Sequence, residues 1–134
     1  MKFKDLSIGQ KDSITKTFQD EDVQKFSQVS LDTNPLHLDD EAAEKSIFGK
    51  RIVHGIATCG LISAVLANKL PGPGTIYLGQ DVRFTAPVFL GDTITAECEI
   101  IELREDKHIV RLQTTGTNQD GKTVLTGTAT VKFA

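Results

Sequence analysis

Residues 55–70 read Gly-Ile-Ala-Thr-Cys-Gly-Leu-Ile-Ser-Ala-Val-Leu-Ala-Asn-Lys-Leu, the most apolar stretch of the chain. At helical spacing its apolar residues point nearly all round, which predicts a helix buried on most sides. Pro71-Gly72-Pro73-Gly74 follows and ends it, because proline breaks the helical ladder and glycine favours the turn. The run stops short of the ~18 unbroken apolar residues of a membrane span. A helix of this kind needs a sheet wrapped around it.

The remaining sequence supplies that sheet. Ser13–Phe18 is β-favouring, and four further β-rich runs lie at Ile76–Thr85, Thr93–Leu103, His108–Thr117 and Thr123–Phe133. Pro87 and Gly91-Asp92, then Glu105-Asp106-Lys107, then Asn118–Gly121 separate these four. Connections this short predict an antiparallel meander of successive strands. Alternation shows in Val110, Leu112 and Thr114, and in Val124, Thr126 and Thr128. Between the first strand and the buried helix, Asp20-Glu21-Asp22 places acid where a helix begins. Val23, Phe26 and Val29 form its stripe, to about Ser30. Asp39-Asp40-Glu41 marks a second helix start, carrying Ala42, Ala43 and Lys45, and 49–51 reads as a loop. This order argues an α+β fold, and 134 residues argue one domain, 1–134.

Charge narrows the function classes. A net charge of −3, with the signs interspersed, argues against a nucleic-acid partner or an anionic membrane surface. Met1–Gln10 mixes Lys2, Lys4 and Asp5 with apolar residues and lacks the apolar run of a signal peptide. Cys59 and Cys98 lie far apart without metal-ligand spacing, which suits free thiols in a reduced cytoplasm.

The chemistry concentrates in Asp32-Thr33-Asn34-Pro35-Leu36-His37. A carboxylate and an imidazole five residues apart would fall on different faces of a regular helix. Pro35 has no N–H and pushes Asn34 towards extended geometry, so a sharp loop is expected, with side chains free to converge. An acid and a histidine together move protons at neutral pH. On their own, Asp32 and Asn34 are also good turn residues.

Asp-x-Asn-Pro-Leu-His, followed by Leu38-Asp39-Asp40 and Ala42-Ala43, closely resembles the signature of the MaoC-like, R-specific enoyl-CoA hydratases. Val53-His54-Gly55 matches them at the family's distance from His37, and the likeness runs from about Asp12 to the end. Many members carry glycine before the aspartate, where this chain has Leu31. If that glycine holds a positive φ, the loop here is built differently.

The resemblance implies a hot-dog fold, a curled antiparallel sheet around one long helix. Phe84–Thr93, with Pro87 and Gly91-Asp92, looks like those families too. It implies hydration of trans-2-enoyl-CoA to (R)-3-hydroxyacyl-CoA, with Asp32 and His37 transferring protons and Asn34 orienting the water or the dyad. Gly55 opens the helix, where an unpaired N–H and the helix dipole suit an oxyanion. The bland alternative is an N-cap glycine that permits tight packing.

Cys59, Ser63 and Leu66 follow Gly55 at steps of four, four and three, and either line an acyl tunnel or belong to the core. Arg51 and Arg83 are candidates for coenzyme A phosphates, or else solvated cations. His54 reads as packed or capping, and His108 as solvated. No metal or redox cofactor is implied; coenzyme A is part of the substrate. A homo-oligomer built on dimers is expected, because one small curled sheet leaves open edges. The alternatives are a hot-dog acyl-CoA thioesterase and a non-catalytic acyl-CoA-binding protein. Against the first, 55–70 contains no Asp or Glu. Sensors of the second kind usually add a DNA-binding segment, for which this chain has no room.

Overall fold

In the computed structural model, which describes residues 1–134, the apolar stretch is helix α4, Gly55–Asn68. Its inward residues are Thr58, Leu61, Ile62, Val65 and Leu66, all buried. One stripe stays open. Ile56, Gly60, Ser63 and Ala67, at steps of four, three and four, are exposed. The sheet therefore covers α4 from one side only.

That sheet has five strands: β1 Lys11–Thr17, β2 Ile76–Phe84, β3 Thr93–Arg104, β4 Ile109–Thr117 and β5 Thr123–Lys132. All pairs are antiparallel, in the order β1-β3-β4-β5-β2. The expected meander holds for β3, β4 and β5 alone. β2 pairs with β5, not with its successor β3. The reason lies in residues 85–92, which cross the fold instead of turning back. Val53 N–H donates to Val88 O at 2.7 Å, Ile52 bridges Phe89, and Gly91 N–H donates to Phe18 O at 2.7 Å.

The core follows the two-residue period of the strands. Ile94, Ala96, Cys98 and Ile100 point inward from β3, and Val110, Leu112 and Thr114 from β4. On β5 Leu125, Ala129 and Val131 are buried in the core, while of the Val124-Thr126-Thr128 alternation only Val124 is buried. Gly127 sits on the inward register, and a Cβ there would come within 2.0 Å of Asp81 O, so no larger residue fits.

Three short helices lie between β1 and α4. α1, Asp20–Ser30, buries Val23 and Ser27, while Val29 is 82 % exposed and outside the stripe assigned to it. α2, Pro35–Leu38, is a single helical turn where an irregular loop was expected. Pro35 does not forbid it, because the first helical position needs no N–H. α3, Asp40–Glu44, is capped by Asp39, whose Oδ1 accepts from Glu41 N–H at 2.9 Å. His108, expected in solvent, is half-buried and stacks on Phe3 with centroids 4.5 Å apart. No helix is long and apolar enough to cross a membrane.

Candidate active site

Local backbone chemistry shapes the Asp32 segment. Leu31 ends α1 in the left-handed conformation, φ 66° and ψ 12°, with its N–H donating to Ser27 O at 2.9 Å. Leu31 thus adopts, without glycine, the positive φ that glycine favours. Asp32 Oδ1 then accepts from Asn34 N–H at 3.2 Å, and Asn34 Oδ1 accepts from Leu36 N–H at 3.1 Å. Two successive Asx bonds fold the segment directly into α2. Asn34 is exposed and does not line the cavity described below, so it shapes the loop and does not reach a water there.

α2 carries His37 inward, to 8 % exposure. His37 Nδ1 lies 2.8 Å from Ile52 O. A carbonyl only accepts, so Nδ1 bears the hydrogen and Nε2 keeps its lone pair. His54 stacks on His37 with centroids 3.8 Å apart and planes at 25°. It is packed, as expected, but makes no cap bond to α4. Its Nε2 lies 3.1 Å from Asp32 O and 3.2 Å from Ser27 Oγ. By the same reasoning this nitrogen carries the hydrogen, and Nδ1 is left buried without a partner. Burial therefore pushes the His54 pKa down, with the neighbouring His37 adding to the effect.

Asp32, His37 and His54 each bring a side-chain nitrogen or oxygen within 4.8 Å of the others. This is the one acid–histidine group close enough to hold an ion, although Nδ1 of His37 and Nε2 of His54 are already committed to carbonyls.

The trio faces a cavity of about 450 Å³. Its apolar walls include Phe48, Ile56, Phe84, Val88 and Val124, and Asp32 is its only acidic residue. Gly55 and Thr58 line it from the first turn of α4. Neither Gly55 N–H nor Ile56 N–H has a backbone acceptor, so the helix presents free donors there. The Phe84 ring covers the space a Cβ on Gly55 would fill, at 2.9–3.0 Å. Gly55 thus satisfies a packing demand as well as opening the helix.

Other candidate residues lie elsewhere. Cys59, Ser63 and Leu66 do not line the cavity, because it reaches only the first turn of α4. Cys59 is half-buried, Ser63 is on the open stripe, and Leu66 is in the core at 1 % exposure. Arg51 is not available to a phosphate. Its Nε donates to His37 O at 2.7 Å, and its guanidinium pairs with Asp20 and, at 3.8 Å, with Asp40. It ties the starts of α1 and α3 to the end of α2, and its hydrogen bond lowers the Asp20 pKa. Arg83 is exposed on β2, outside the cavity. Phe84, Val88 and Val124 were not named as site residues from sequence. Nothing local marks them, since the cavity wall forms only where β2 and residues 85–92 meet α4.

The site thus combines two proton-carrying side chains, an apolar cavity and free N–H groups at a helix start. The model of the MaoC like domain matches residues 5–125. An (R)-specific enoyl-CoA hydratase of Aeromonas caviae is 46% identical over 133 residues, covering 99% of both chains. Another, from Rhodospirillum rubrum, is 44% identical, covering 96% of this chain and 89% of the relative. Among solved structures, the unliganded R-hydratase of Pseudomonas aeruginosa superposes with a TM-score of 0.94 at 45% identity, covering 98% of this chain and 84% of that one. The Aeromonas caviae enzyme gives 0.93, covering 96% and 98%. Five antiparallel strands curled on one helix are the hot-dog architecture those structures share, and the chain belongs to the MaoC-like family of R-specific hydratases.

Proposed function

We propose that the chain catalyses the reversible hydration of trans-2-enoyl-CoA to (R)-3-hydroxyacyl-CoA. The observation that carries this reading is the convergence of Asp32 and His37 on one cavity that Gly55, whose N–H has no backbone acceptor, also lines. Water attacks the β-carbon and gives up a proton to the dyad, where Nε2 of His37 offers a lone pair. The dyad returns a proton to the α-carbon. Negative charge grows on the thioester oxygen in between, and the Gly55 N–H at the positive end of α4 is suited to hold it. One water is added and no electrons move, so the reaction as written calls for no metal or redox cofactor. Coenzyme A enters as part of the substrate. The thioesterase reading has no observation in its favour, since α4 carries no carboxylate.

The acting unit in this reading is a homo-oligomer built on dimers. β2 is a sheet edge bearing exposed Ile76, Tyr77 and Leu78, and α4 leaves Ile56 exposed beside it. A second copy would cover both. The free Cys59 and Cys98 suit a cytoplasmic setting.

The test is turnover of crotonyl-CoA, with the product's configuration read by a stereospecific dehydrogenase. Asp32→Asn and His37→Ala are each expected to lower turnover by about 10²–10⁴-fold in folded protein. The double variant is expected to be little worse than either single one, because the two act as a unit. Near-normal turnover in either would remove the dyad from the mechanism. An S product would reject the R assignment, and release of free coenzyme A from saturated acyl-CoA would favour a thioesterase.

A further inference from the structure

Resting on that hydratase reading, we propose that His54 is a positioning residue, which clamps the Asp32 backbone and backs the His37 ring so that the proton-transfer pair keeps its geometry. Four observations carry this. His54 occupies the N-cap position of α4 but makes no cap bond, so capping does not explain it. Its Nε2–H reaches Asp32 O at 3.1 Å, across 22 residues of sequence, and Ser27 Oγ of α1 at 3.2 Å. Its ring stacks on His37 at 3.8 Å and meets Phe26 at 4.7 Å, so it packs against both. Its Nδ1 is buried with no partner, an acceptor that packing alone would not require.

Together these bonds fix what the loop leaves free. The Asx bonds shape the backbone from Asp32 to Leu36 but do not anchor it to α4. The His54 clamp does so. Ile52 O holds one edge of the His37 ring, and His54 holds its face. The sealed Nδ1 adds a chemical consequence. A proton placed there would be a buried donor without an acceptor, so the His54 ring is held neutral.

Two variants separate clamping from packing. His54→Phe keeps an aromatic ring against His37 and removes the donor to Asp32 O. Turnover of crotonyl-CoA is expected to fall on the order of 10²-fold, with KM little changed, because a small misplacement of the pair costs that much. His54→Gln returns an N–H to roughly the same place and is expected to recover most of the loss. Wild-type turnover in His54→Phe, a loss confined to KM, or His54→Gln no better than His54→Phe would overturn the proposal.

The wild-type protein gives a reading that depends on neither variant's folding. Nitrogen-15 spectra of the imidazoles are expected to show His54 neutral with hydrogen on Nε2 at neutral pH. The Nδ1–H tautomer, or a protonated ring, would overturn the clamp. Wild-type protein that fails to hydrate crotonyl-CoA would sink the hydratase reading instead, and the tautomer spectrum would still test the clamp.

Discussion

Leu31 shows what a single residue carries at this site. It holds φ at 66° with its side chain 82 % exposed, so no burial offsets the left-handed backbone. That conformation costs a residue with a Cβ about 1–2 kcal/mol. Leu31→Gly is therefore expected to raise stability by about 1 kcal/mol after glycine's larger unfolded-state entropy is counted. Thermal unfolding reads this directly, and a lower midpoint would mean that the leucine makes stabilising contacts. His54 acts in the other direction. Its folded pKa lies below its ordinary value near 6.5, because burial penalises the charged ring. The unfolded chain then binds the extra proton first, so stability is full above about pH 6.5 and declines as pH falls below it. Unfolding midpoints taken from neutral to acid pH are expected to drop less steeply in His54→Gln. Equal slopes in the two proteins would remove His54 as a source of the decline.

At the scale of elements, the start of α4 joins packing to chemistry. Gly55 leaves a free N–H towards the cavity, and Phe84 of β2 rests where a side chain would be. Gly55→Ala would meet Phe84 Cε1 at 2.9 Å. Phe84 is 48 % exposed and has room to swing, so the fold is expected to survive. The swung ring would then intrude on the thioester's place, and hydration is expected to fall on the order of 10²-fold. Turnover of crotonyl-CoA beside a thermal melt checks this. Unchanged activity would leave Gly55 with a packing role alone. The same junction explains why Cys59, Ser63 and Leu66 lie off the cavity: only the first turn of α4 borders it, and the later turns face the core or the open stripe.

For the whole molecule, the unfinished surfaces are the edge strand β2 and the open side of α4. Ile76, Tyr77 and Leu78 are exposed next to unpaired backbone groups, and Ile56 is 59 % exposed. A lone chain would leave these in water, at an aggregation cost natural edges avoid. Light scattering is expected to give a dimer or a multiple of one, and Tyr77→Lys on the edge is expected to weaken it. A fully active monomer at low concentration would contradict the proposed assembly.

Local pattern alone determined a great deal here. The apolar run of 55–70 announced α4, the β-rich runs announced five strands, and the Asp32–His37 segment announced an acid and a histidine brought together, because each signal lies within a few residues of chain. Even the αL turn at Leu31 was posed as a question by the sequence, though its answer needed the backbone angles. Strand order was not legible, since β2 chooses β5 over β3 only once residues 85–92 are drawn across the site by Val53, Ile52 and Phe18. The fate of Arg51 was equally hidden, because its partners Asp20 and Asp40 come from separate helices. The same holds for His54. Its clamp on Asp32 and its stack on His37 exist because tertiary packing brings α1, α2 and α4 to one point, and no spacing along the chain encodes that meeting.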